Sequence, residues 1–217
     1  MYIEFNINYN FNILCNIDYD CVLDTRKVNF MEFVQPIRDK EKIKTIKFIL
    51  KNRSLRDYCL FVLGINSGLR ISDLLKLRVA DILDKGKIKE RIELREKKTG
   101  KFKDFPLSKG TRQALAEYLK SREYQLNEPL FISRTNKGFL TRQQAYLILN
   151  DVARQVGIKE KIGTHTLRKT FGYHAYNSGY DIELIQKLFN HSVPSITLRY
   201  IGITQDDMDD VYLNLDL

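Results

Sequence analysis

From Asp39 onward the chain is a succession of short amphipathic segments, each opened by a side chain able to cap a helix. One strand–turn–strand pattern interrupts them. Asp39 precedes "KEKIKTIKFILK", whose apolar positions Ile43, Ile46, Ile49 and Leu50 fall on one helical face. Ser54 precedes "LRDYCLFVLGINS", and Gly68 stands where a left-handed residue would stop that helix. Ser72 opens a short helix through Leu77. "KERIELREKK", "TGK" and "FKDFPL" then predict two strands around a tight turn. Ser108 and Thr141 open two longer helices, and Thr164 or Thr166 caps another that ends at Gly179. Asp181 caps "IELIQKLF", Ser195 lies in a short helix with Tyr200, and Thr204 caps a terminal acidic helix. The expected fold is mainly α, with a small antiparallel β-sheet inserted after its second or third helix.

The first thirty residues differ. They hold six Asn and neither Gly nor Pro, and Tyr2–Leu14 alternates apolar with polar residues as a strand does. A boundary near residue 30 separates this appendage, strand or disordered, from a domain over 31–217.

Charge is as unevenly spread. The 217 residues carry a net +9, yet residues 1–30 sum to −2 and residues 204–217 to −5, which leaves +16 on the stretch between. Such a body attracts a polyanion, nucleic acid above all. A composition 43% hydrophobic and 29% charged, with 11 Gly and 4 Pro, fits a soluble globular chain without long linkers. No apolar run approaches a membrane span, no secretory signal opens the chain, and the expected address is the cytoplasm. Cys15, Cys21 and Cys59 form no CxxC pair, which argues against a disulfide framework or a zinc site.

Five stretches carry candidate chemistry: Arg70 in "SGLRISDLL", Lys98 in "REKKTGKFKDFPL", His165 and Arg168 in "THTLRKTF", His191 in "LFNHSVPS", and Tyr200 in "ITLRYI". His165 and Arg168 lie nearly one helical turn apart and share a face. Each alone reads as an ordinary surface or core residue. Together, in this order and with Tyr200 nine residues after His191, they resemble the tyrosine recombinase (phage integrase) family over about Arg38 to Ile201. Asp73 stands for the commoner glutamate, Asn190 for a glycine, and Lys169 for a frequent histidine. Thirty residues are too few for the helical core-binding domain that precedes the catalytic domain in most members. The chain looks like the short members, such as the fimbrial phase-variation invertases.

The resemblance implies a site-specific DNA recombinase that cleaves and rejoins strands through a 3′-phosphotyrosyl intermediate. Tyr200 would be the nucleophile, and Arg70 and Arg168 would fork onto the phosphate oxygens. His191 would donate to the phosphate, and His165 would take the tyrosine proton or orient the group that does. Lys98 would protonate the departing 5′-oxygen, and Asp73 would orient the cluster. The energy stays in the phosphotyrosyl bond, so no ATP, metal or other cofactor is expected. Double-stranded DNA is the expected partner, with Arg142, Lys159 and Lys161 as candidate backbone contacts. A homo-oligomer, a tetramer on DNA, is expected, with no membrane. A type IB topoisomerase-like nicking and resealing enzyme and a catalytically silent DNA-binding regulator are the alternative readings.

Overall fold

The chain divides into two units, Met1–Met31 and Glu32–Leu217. The structure, a computed structural model, describes residues 34–135 and 137–215. The expected strand over Tyr2–Leu14, with Cys15 and Cys21, lies outside the described residues.

Capping side chains set most of the helix starts. In α1 (Lys40–Arg53) the Asp39 carboxylate accepts from the amides of Glu41 (2.7 Å) and Lys42 (3.3 Å). Ser54 caps α2 (Leu55–Ser67), which stops at Gly68 in the left-handed region, φ 58° and ψ 20°. Next come α3 (Ile71–Leu74) and α4 (Val79–Ile82), then β1 (Leu83–Asp84) and β2 (Lys87–Ile88). The longer hairpin is β3 (Arg91–Arg95) with β4 (Phe102–Pro106), antiparallel, with Ile92 opposite Phe105 and Leu94 opposite Lys103. Helices α5 (Lys109–Lys120) and α6 (Arg142–Gln155) follow, capped by Ser108 and by a Thr141–Gln144 capping box. The chain continues with α7 (Thr166–Asn177), α8 (Ile182–Phe189), α9 (Pro194–Ile201) and α10 (Gln205–Asn214).

The main core gathers Ile46 and Leu50 of α1, Leu60 and Leu63 of α2, Leu74, Leu115 and Phe131, all nearly inaccessible to solvent. α2 is buried on most sides and packs against α1, α5 and α7. A side chain at Gly64 would put its Cβ 2.5 Å from Leu167 Cδ1, so α2 and α7 approach closely only because that position is glycine. A smaller core joins α8 and α9 to α7 through Ile185, Phe189 and Ile201, with Phe171 and Tyr200 packed on it.

Several boundaries differ from the sequence reading. The short helix after Gly68 begins at Ile71, ahead of Ser72, and ends at Leu74. Neither Thr164 nor Thr166 caps α7: its N-cap is His165, without a side-chain bond. The Thr166 hydroxyl instead accepts from Gly163 N and donates to Gln35 O, tying the helix start to the preceding segment. That helix ends at Asn177, two residues before Gly179. The hairpin strands are shorter than expected, because Glu96 N donates to Lys101 O (2.9 Å) and Gly100 N to Glu96 O (2.9 Å), placing Glu96–Lys101 in the turn. α4 and the β1–β2 pair were not anticipated. Among the described residues no helix is long and apolar enough to cross a membrane.

Candidate active site

The turn that ends α2 and the face of α7 bring the two arginines together. Gly68 reverses the chain and presents Arg70 at the start of α3, partly exposed. Arg168, on α7, is 2% exposed. Its guanidinium donates to Gly68 O (2.5 Å) and Phe189 O (2.8 Å) and lies over the Phe189 ring, 4.3 Å from its centroid. The backbone that positions Arg70 therefore also fixes Arg168, and the end of α8 fixes it from the other side. Arg70 Nη1 pairs with Glu96 Oε2 at 2.6 Å.

Pro194 starts α9, where its fixed φ suits a first helical residue, and Tyr200 lies in the last turn. Its ring meets Phe189 edge-on at 5.7 Å and His191 at 5.0 Å. The hydroxyl lies 3.4 Å from His165 Nδ1. His191 sits in the turn after Asn190, a left-handed residue (φ 54°), and its Nδ1 is 3.1 Å from Thr197 Oγ1. Five of the six expected catalytic groups thus converge. Lys98 does not. It is exposed on the hairpin turn, and its side chain makes no hydrogen bond or ion pair among the described residues.

Burial and positive charge set the protonation states. Burial raises the Tyr200 phenol above its usual value, although Arg168 and Arg70 pull it down. Burial and then the charges of Arg142, Lys169, Arg168 and Arg70 lower His165; burial, Arg168 and Arg70 lower His191. At neutral pH the site therefore holds a protonated phenol beside a neutral imidazole able to accept its proton.

Asp73 is buried, and its Oδ1 accepts from Lys97 N (2.9 Å), so it holds the base of the hairpin turn. Three further charged residues, not singled out by the motifs as site groups, belong to the site. Lys169 is buried, with its ammonium 5.2 Å from the Tyr200 ring centroid. Glu96 is 1% exposed and pairs with Arg70. Lys103 is half-buried; burial and the Arg168 charge bring its ammonium down to about 8, against the opposing pull of Glu96 and Asp73. Strand alternation was the missed signal. Counting in twos from Ile92 reaches Leu94 and Glu96, and from Phe105 reaches Lys103, all on the inward side. Of the expected DNA contacts, Arg142 is exposed and close enough for its charge to lower His165. Lys159 and Lys161 are exposed beside Tyr146, Asn150 and Arg154, on a separate groove.

A helical domain with an inserted hairpin, and two arginines and two histidines around one tyrosine, defines a class: the catalytic domain of a tyrosine recombinase, the enzymes that cleave and rejoin DNA. The comparisons agree. The phage integrase family model matches residues 37–206. The probable integrase/recombinase YoeC of Bacillus subtilis (strain 168) is 47% identical over 176 residues, 81% of this chain and 93% of YoeC. The type 1 fimbriae regulatory protein FimE of Escherichia coli (strain K12) is 35% identical over 150 residues, 67% of this chain and 73% of FimE. Among solved structures, the XerH site-specific recombinase bound to palindromic difH substrate, a post-cleavage complex, superposes with a TM-score of 0.65 at 19% identity, covering 85% of this chain. The chain spans 54% of that XerH chain. The protein belongs to the phage integrase family.

Proposed function

We propose that this domain binds double-stranded DNA and cleaves one strand at a time through Tyr200, as a homo-oligomer assembled on its site. The observation that carries the reading is the Tyr200 hydroxyl 3.4 Å from His165 Nδ1, beside two arginines held by the same α2 turn. The phenol oxygen attacks phosphorus while its proton passes to neutral His165. The bond from phosphorus to the 5′-oxygen breaks, and Lys98 supplies the proton that oxygen needs. Arg70 and Arg168 stabilise the charge on the non-bridging oxygens, with His191 as a further donor. Losing one such preorganised donor typically costs about 3 kcal/mol. A 5′-hydroxyl from another strand then reverses the steps, and the phosphotyrosyl bond conserves the energy of the original one.

For this to work on DNA, the hairpin turn must bring Lys98 inward, since it is exposed without DNA. The +16 body supports polyanion binding, with Arg142 beside the site and Lys159 and Lys161 as further phosphate contacts. Exposed apolar side chains on α10 (Val211, Tyr212 and Leu213) support contact with a neighbouring copy.

The test is covalent capture on nicked duplexes with randomised cores, followed by denaturing electrophoresis. The reading expects protein on a 3′-phosphate with a free 5′-hydroxyl. Protein on a 5′-phosphate, or none retained at any sequence, would overturn it.

A further inference from the structure

The Glu96 carboxylate is buried at the meeting point of three parts of the site. Its Oε2 lies 2.6 Å from Arg70 Nη1, accepts from Thr99 Oγ1 at 2.7 Å, and accepts from Asn190 Nδ2 at 3.4 Å. Its own backbone closes the turn through Lys101 O and Gly100 N. Asn190 Oδ1 in turn accepts from Lys101 Nζ at 3.4 Å. Burial works to raise Glu96, and the bonds from Thr99 and Arg70 outweigh it, so the carboxylate stays charged.

Asn190 fits this arrangement in two ways. It takes the left-handed conformation (φ 54°, ψ 41°) that ends α8, which asparagine tolerates nearly as well as glycine. Glycine there would have no amide to reach the hairpin. The amide of Asn190 links the turn leading to His191 with the turn bearing Lys98, and Glu96 is the shared acceptor.

We propose that Glu96 is a positioning residue: with Asn190 it fastens the Lys98 hairpin turn to Arg70 and to the His191 turn. The inference rests on the reading of Lys98 as the acid. A carboxylate suits this place because one oxygen can accept from several donors while its charge offsets the Arg70 guanidinium. Glutamine keeps the shape and loses the charge. Glycine at 190 keeps the backbone and removes only the bridge.

The test is hydrogen–deuterium exchange of the full chain without DNA, followed by single-turnover cleavage. Glu96→Gln and Asn190→Gly should each speed exchange at Lys97, Gly100 and Lys101 about tenfold, the loss of roughly one net hydrogen bond, with Arg91–Arg95 unchanged. The double variant should add little to either single one, because Glu96→Gln weakens and Asn190→Gly removes the same link. Unchanged exchange in the turn, or fully multiplicative effects, would overturn the proposal. Asn190→Gly keeps the test decisive if Glu96→Gln fails to fold. In cleavage, a 5′-bridging sulfur should restore Asn190→Gly to the same degree as Lys98→Ala, and Glu96→Gln, which also loosens Arg70, only in part. If Lys98→Ala is not restored while exchange still rises, the acid assignment fails and the fastening stands. If Lys98→Ala is restored and exchange is flat, the fastening fails alone.

Discussion

The rings of His191 and Tyr200 meet edge to face, centroids 5.0 Å apart and planes at 73°. Tyr200 comes nine positions after His191, and α9 supplies the span: Pro194 starts the helix and the tyrosine lies in its last turn. His191 N donates to Gln186 O, and Gln186 Nε2 returns a bond to His191 O, so the histidine is anchored to α8. Tyr200 packs on the small core of Ile185, Phe189 and Ile201, and His191 meets the Phe189 ring edge-on at 5.4 Å. The geometry of the pair depends on how that core docks against α7.

Gly172 controls that docking. A Cβ there would meet Ile201 Cγ2 at 2.6 Å and Phe189 Cε2 at 2.7 Å, and neither buried group has room to retreat. Gly172→Ala should cost about 1–3 kcal/mol through overpacking and slow cleavage by displacing α9. Gly110→Ala in α5, with nothing within 4 Å, is the control. It should be neutral or slightly stabilising. Thermal melts decide; equal melting temperatures for the two variants would show that α7 and α9 do not touch at Gly172.

Most of the caps and the family's motifs were legible because each is written locally. An oxygen-bearing side chain before an apolar period marks a helix start, and the five motifs kept their order. What escaped depends on contacts between segments. The β1–β2 pair turns through Lys85 and Gly86, both at positive φ (47° and 79°), where the usual signal is Asn-Gly or Asp-Gly. Thr166 has the chemistry of a cap, but Gly163 and Gln35 occupy its hydroxyl. Glu96 and Lys103 escaped because the hairpin was read for its turn lysines. Which side of a strand faces the arginines follows from register, with Ile92 opposite Phe105 and Leu94 opposite Lys103, and from the bond of Lys97 N to Asp73.

Acidification should destabilise the fold through His165 and His191. Both have folded-state values lowered by burial and by arginine charges, so the unfolded chain binds more protons. Their contribution is intact above the ordinary histidine value of about 6.5 and is lost as pH falls below it. Melting temperature should drop between pH 7 and pH 5, and the His165→Gln/His191→Gln pair should flatten that drop. A slope unchanged in the double variant would assign the effect to other groups.

Lys98 and Lys103 can be told apart by their leaving-group dependence. An alkoxide needs a proton on departure, and a general acid typically contributes ~10²–10⁴-fold. Lys98→Ala should lose that much on ordinary DNA and recover with a bridging 5′-sulfur, which leaves as a thiolate. Lys103→Ala and Arg168→Ala should remain slow on both, as expected of groups that stabilise charge and do not supply the proton. Lys97→Ala and Lys101→Ala should show no rescue pattern. If Lys103→Ala recovered and Lys98→Ala did not, the half-buried lysine would be the acid.

The acidic tail bears on assembly. Val211, Tyr212 and Leu213 of α10 and Leu215 just after it are between 58% and 84% exposed, and Arg38 pairs with Asp207 at 3.7 Å near the helix start. The exposure of these apolar side chains supports the proposed contact with a neighbouring copy. Deleting residues 204–217 should weaken cooperative binding of adjacent DNA sites more than binding to a single site, read by gel shift. Equal loss of both would place the tail's role within one copy.

Mapping the covalent adduct identifies the nucleophile. DNA trapped on the wild-type protein should be digested and the modified peptide sequenced by mass spectrometry. A nucleotide remnant should appear on Tyr200, and Tyr200→Phe, which keeps the ring against Phe189 and His191, should give no adduct while binding DNA within a few-fold of wild type. A remnant on Tyr173 or Tyr176, or an adduct that persists in Tyr200→Phe, would contradict the assignment of Tyr200.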